Sequence, residues 1–148
     1  MTGRYRFAAA TVLVVLGLSG CGSDRVAVYP VRGQVLLDGK PADHAYVVFH
    51  PQGGSEEIQK LRPYGRANAE GYFELTTFER RDGAPAGQYK VTVICPGPAP
   101  GMDPKNPDPE LATTGPDRLQ GRYADPQKST ISVTVTSGTN ELEPFRVP

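Results

Sequence analysis

Tyr89-Lys90-Val91-Thr92-Val93-Ile94-Cys95 is the stretch that sets the fold. Tyr89, Val91, Val93 and Cys95 fall on one face of an extended chain, and Lys90, Thr92 and Ile94 on the other. A period of two, rich in β-branched residues, predicts a strand with one face in a core. Asp82-Gly83-Ala84-Pro85-Ala86-Gly87 stands directly before it, a cluster of residues that reverse the chain.

The same period recurs outward from this strand. Val31, Gly33, Val35 and Leu37 alternate with Arg32 and Gln34, and Asp38-Gly39 supplies a turn before Lys40-Pro41. Ala45, Val47 and Phe49 alternate with Tyr46, Val48 and His50, and Pro51 closes that strand. A short strand over Tyr64 to Ala67 leads through Asn68-Ala69-Glu70-Gly71 into another over Tyr72 to Thr76, with Phe73 and Leu75 inward. Ile131, Val133 and Val135 predict a further inward face. In the last strand, Glu141 to Val147, Leu142 and Phe145 are three apart and Pro144 cannot donate to a ladder, so a bulge at an edge is expected there. About seven short strands joined by Gly- and Pro-rich turns, with no convincing helix, give an all-β sandwich occupying residues 28–148. The expected core is Phe49, Phe73, Tyr89, Val91, Val93, Ile131 and Val133.

Two stretches fall outside the pattern. Gln52 to Arg62 reads as a polar loop. Pro96 to Pro126 carries eight prolines and exceeds the usual loop length. It is either a mobile excursion or holds a short element, with a turn near Pro116 to Leu119 as the candidate, and it is the place where recognition could sit.

The beginning of the chain carries a different signal. Arg4 and Arg6 precede an apolar run from Phe7 to Leu18, and Leu18-Ser19-Gly20-Cys21 follows. That order predicts a secretory signal over residues 1–20. A helix over Phe7 to Leu18 would rise roughly 18 Å, short of the ~30 Å hydrocarbon core, so the run does not span a membrane. The ending resembles the lipobox of bacterial lipoproteins. The resemblance implies cleavage before Cys21, a diacylglyceryl group on its sulfur, acylation (typically palmitate) of the new amine, and a short tether over residues 21–27. An ordinary cleaved signal with Cys21 incidental is the alternative. Lipid on Cys21 would hold the protein to a bacterial membrane, facing the periplasm or the exterior, without a spanning segment.

Composition limits the partners. Sixteen basic and sixteen acidic residues balance in the whole chain; loss of residues 1–20 removes Arg4 and Arg6 and leaves a charge of −2. No basic field exists to attract nucleic acid. With Cys21 lipidated, Cys95 is the remaining thiol, so no intramolecular disulfide is expected, and its place on an apolar face predicts a buried, inert group.

The order of the β segments resembles the carboxypeptidase-regulatory-like, or transthyretin-like, sandwich carried by many bacterial lipoproteins. The residues that carry the resemblance are Val31 to Pro41, Ala45 to Phe49 with Pro51, Asn68 to Leu75, Gly83 to Val93, Arg122 to Pro126 and the tail from Ser129 to Val147. It implies a single Greek-key domain of transthyretin or immunoglobulin type. These motifs are turns and core faces, so they speak to fold far more than to function.

No catalytic residue, cofactor or metal ligand is assigned from sequence. The related hydroxyisourate hydrolases end in Tyr-Arg-Gly-Ser, whereas this chain ends Phe145-Arg146-Val147-Pro148 and has only His44 and His50. On one extended strand those histidines would stand ~20 Å apart, too far to share a metal. For sugar stacking the candidates are Tyr29, Tyr64 and Tyr123, the last also suited to clamping the long loop. Lys60, Arg62, Arg66, Arg80 and Arg81 suggest a basic patch, diluted by Glu56, Glu57 and Glu79. The expectation is a non-catalytic, lipid-anchored module for adhesion, scaffolding or binding of an envelope protein. A carbohydrate- or small-ligand-binding module is the alternative, and a transthyretin-like hydrolase a distant one.

Overall fold

The computed structural model describes residues 25–103, 105, 106, 108, 111 and 113–148. The signal at residues 1–20 and the lipidation site Cys21 lie outside the described residues. Two sheets face each other. In the first, β1 (Val31–Leu37) is central: Arg32 pairs with Glu74 of antiparallel β5 (Tyr72–Glu74) on one edge and with Glu141 of parallel β8 (Asn140–Glu141) on the other. Further along β1, Leu36 pairs with Pro41 of β2 (Lys40–Pro41) and with Arg146 of parallel β9 (Phe145–Val147). The second sheet is antiparallel, in the order β4 (Tyr64–Arg66), β3 (Tyr46–Pro51), β6 (Gly87–Ile94) and β7 (Ser132–Val135). The β1–β2 reversal is made by Asp38 and Gly39, both at positive φ (50° and 76°), as an Asp-Gly hairpin turn requires.

The core lies between the sheets. Val31, Val35, Val47, Phe49, Phe73, Leu75, Tyr89, Val91, Val93 and Cys95 are all buried, as their alternation predicts. An aromatic chain links the two layers, with centroid distances of 5.5 Å for Tyr89–Phe49, 6.4 Å for Phe49–Phe145 and 5.7 Å for Phe145–Phe73. Tyr89 buries its hydroxyl, which donates to Pro85 O at 2.7 Å, and burial pushes its pKa to about 12. Gly33 sits inward where the Phe73 ring presses on the backbone: a Cβ there would lie 2.6 Å from Phe73 Cζ.

Several expectations need correction. Ile131 and Val133 are only partly buried, because β7 is the outer strand of its sheet and its inner face borders an open groove with Leu142 and Phe145. The final strand is split into β8 and β9 around Leu142–Pro144. The break lets Leu142 and Phe145 both turn toward the core despite their odd spacing. Gln52 to Arg62 is not wholly loop: Glu56–Lys60 forms a helix, α1, whose N-cap Ser55 Oγ accepts from Ile58 N at 3.3 Å.

The largest correction concerns Pro96 to Pro126. β7 pairs with β6 only from Gly87 to Lys90. Beyond that point three β6-side donors need other acceptors: Val91 N uses Ile131 O (3.0 Å), Val93 N uses Tyr123 O (3.0 Å), and Cys95 N uses Asp117 Oδ1 (2.9 Å). The same carboxylate accepts from Leu119 N and Gly121 N, and Leu119 is fully buried. Residues 117–129 are thus an irregular extension of the sheet, including the turn expected near Leu119. The excursion before them closes in a stem: Gly97 N to Pro116 O, Gly115 N to Gly97 O, and Ala99 N to Leu111 O at 2.8–3.0 Å.

Candidate functional site

The corner where the sheets meet builds a concave site. Side chains alternate on β4 and β5, so Gly65 and Phe73 point inward while Tyr64, Arg66, Tyr72 and Glu74 point out. A bridge between Tyr64 and Thr76 ties the second sheet to the chain just past β5, with N–H···O distances of 3.0 and 2.8 Å. The absent side chain at Gly65 permits this: a Cβ there would lie 2.9 Å from Glu74 O. From β1, Arg32 joins the outward row, and its guanidinium carbon lies 5.3 Å from the Tyr72 ring centroid. That is cation–π range.

The fourth wall is the turn from Thr77 to Asp82. The Asp82 carboxylate accepts from Thr77 N (2.7 Å), Phe78 N (2.9 Å) and Glu79 N (2.8 Å). Burial works to raise its pKa, yet these backbone donors together hold it below its ordinary value. Arg81 adopts φ 63°, a conformation unfavourable for a bulky residue, and its N–H donates to Thr76 Oγ1 at 2.9 Å. The turn thereby presents Arg80 and Arg81 to the cleft. Arg81 Nε lies 3.1 Å from Glu74 Oε2, and Arg66 donates to Thr113 Oγ1 at 3.1 Å. Four arginines and one glutamate thus line a space of about 380 Å³, within the ordinary size of a small-ligand site.

The candidates from sequence separate in the fold. Arg66, Arg80 and Arg81 come together in the cleft. Lys60 and Arg62 do not share their role: Lys60 is bound to Glu56 at 2.7 Å, and Arg62 donates to the Gln59 and Leu61 carbonyls. Of the tyrosines, Tyr64 lines the cleft, Tyr29 bridges to Ala84, and Tyr123 packs on the core while accepting from Val93 N. Arg32, Tyr72 and Glu74 escaped the sequence reading. Their signal was present as outward positions on period-two strands, but pairing them needs the β1–β5 register.

The two histidines are not brought together. His44 lies before β3 at φ 61°, with Nε2 3.5 Å from Asp43 Oδ2. His50, near the far end of β3, bonds through Nε2 to Thr92 Oγ1 at 3.0 Å, and burial and Arg62 lower its pKa. Cys95 is buried and unpaired with any other cysteine, and burial pushes its thiol to about 11. A thiol so placed is a poor nucleophile. Among the described residues no helix is long and apolar enough to cross a membrane.

Comparison with family models finds no match, and no curated protein matches the chain. Among solved structures, a 9R-lipoxygenase from Cyanothece PCC8801 is similar over 82% of this chain at 15% identity, with a TM-score of 0.41. This chain spans 17% of that protein's length. Likeness at that level carries nothing about activity to this chain.

Proposed function

We propose that this chain is a lipid-anchored, extracytoplasmic β-sandwich module of a bacterial envelope that binds a partner and does not transform it. The observation that carries the reading is Leu18-Ser19-Gly20-Cys21 directly after a charged start and a short apolar run. The first bridge of the sandwich, at Tyr29, comes only eight residues after Cys21, so little chain would separate lipid from fold. The resemblance of this chain's turn and core-face motifs to carboxypeptidase-regulatory-like domains supports the same setting. A buried, high-pKa thiol at Cys95 supports a binding role over thiol chemistry. The test is expression of the full chain and its Cys21→Ser variant in a bacterium. The native chain should sediment with membranes, and the variant should be unprocessed or released. A processed, membrane-held Cys21→Ser protein would contradict the reading.

A second reading, small-ligand or carbohydrate binding, is favoured by one observation, the arginine- and tyrosine-lined cleft between β4, β5 and the Asp82 turn.

A further inference from the structure

We infer that the cleft at the β4–β5 corner is a binding site for an acidic saccharide, a sugar ring bearing a carboxylate. The inference deepens the small-ligand reading and rests on it. Three properties of the cleft point the same way. Arg32, Arg66, Arg80 and Arg81 converge on it, and the guanidinium fork matches a carboxylate in two parallel hydrogen bonds. Among the described residues Arg80 forms no ion pair or hydrogen bond, so one guanidinium is uncommitted in the free protein. Apart from Glu74, which pairs with Arg81 inside the cleft, the nearby acidic groups are engaged elsewhere: Asp82 by backbone donors, and Glu79 by Arg25 at 3.8 Å.

The second property is aromatic. Tyr64 and Tyr72 are both about two-fifths exposed and flank the cleft, Tyr64 against Tyr46 at 5.8 Å between centroids and Tyr72 beneath Arg32, which gives apolar ring surface beside the cations. Amphipathic rings of this kind suit a ligand with one apolar face and polar edges. The third is Glu74, which puts an acceptor among the donors. Arginines beside a carboxylate fit a ligand that carries hydroxyls as well as an anion, whereas a bare lipid phosphate brings no hydroxyl for Glu74 to accept from. The backbone is prepared for the task. Gly65 brings the walls together, and the Asp82 turn holds Arg81 in a conformation it would not choose alone.

The experiment is an NMR titration of the full chain held in nanodiscs of neutral lipid, read at the Tyr64 and Tyr72 rings and the arginine Nε–H groups. The probes are a trimer of galacturonic acid, its methyl ester, and phosphatidylglycerol vesicles. The expected result is a saturable shift with the acid, weakened by salt, and little response to the ester or vesicles. Arg80→Gln should weaken acid binding roughly tenfold with an unchanged unfolding midpoint, the loss of one charge-assisted hydrogen bond. Lys40→Gln, on the exposed β2 strand, should bind as the native chain does. Absence of a saturable shift, an equal response to the ester, or a response confined to the vesicles would each overturn the inference. Failure of the lipid anchor would show at Cys21 and leave this titration unchanged.

Discussion

Gly33→Ala places a methyl group where the two sheets have no room for one. A Cβ at this position would lie 2.6 Å from Phe73 Cζ and 2.8 Å from Cε1, against about 3.5–4.0 Å for a comfortable carbon contact. The ring must therefore retreat by about 1 Å. It cannot do so freely. Phe73 is fully buried, its centroid is 5.7 Å from that of Phe145, and the Gly65 backbone closes the other side. Overpacking of this sort costs about 1–3 kcal/mol. Alanine also restricts the unfolded chain, which offsets about 0.4–1 kcal/mol because φ at Gly33 is not positive. The net expectation is a loss of about 0–2.6 kcal/mol, centred on about 1.3 kcal/mol, read from the urea midpoint at constant m. Phe73→Leu removes the clashing ring atoms, so the double variant should lose less than the two single losses combined, by about 1 kcal/mol or more. A stabilised Gly33→Ala protein, or strict additivity, would refute the argument.

Three further outcomes are expected. Asp82→Asn should lower stability at neutral pH, and the gap to the native chain should close under acid. Its carboxyl is depressed below the ordinary 3.8, so its contribution is present above that value and fades as pH falls through the folded pKa; equal midpoints at neutral pH would contradict this. With Cys21 acylated or replaced by serine, Cys95 should resist a thiol reagent at about pH 8 until the protein unfolds, since its thiol is buried and raised to about 11; rapid native-state labelling would contradict it. Deleting residues 101–108 beyond the stem should change stability by less than about 1 kcal/mol, whereas Leu119→Ala should cost about 2–5 kcal/mol, and the reverse ranking in denaturant unfolding would contradict the assignment of residues 117–129 to the fold.

The strands were legible in the sequence because burial on one face writes a period of two, and Val91, Val93, Val47 and Phe49 keep it without interruption. An irregularity at that edge was legible too, from the odd spacing of Leu142 and Phe145 around Pro144, although it is a break between β8 and β9 where a bulge in one strand was expected. What escaped has no period. α1 is five residues long and buries none of its side chains, so its only mark was Ser55 followed by Glu56 and Glu57. The segment from Asp117 to Ser129 completes β6 through a carboxylate, one carbonyl of Tyr123 and the Ser129 hydroxyl, which donates to Val91 O. Such side-chain substitutes for a ladder leave no pattern. The cleft was half legible: arginines at 66, 80 and 81 stood out by type, but Arg32 and Tyr72 join them only through strand register.

The central claim, a lipid-anchored envelope module, is tested most directly at the new N-terminus. Intact and peptide mass spectrometry of the native protein extracted from bacterial membranes should find a chain that begins at Cys21 and carries a diacylglyceryl group on its sulfur with an acylated amine. A mature chain that begins elsewhere, or a Cys21 without lipid, would contradict the account.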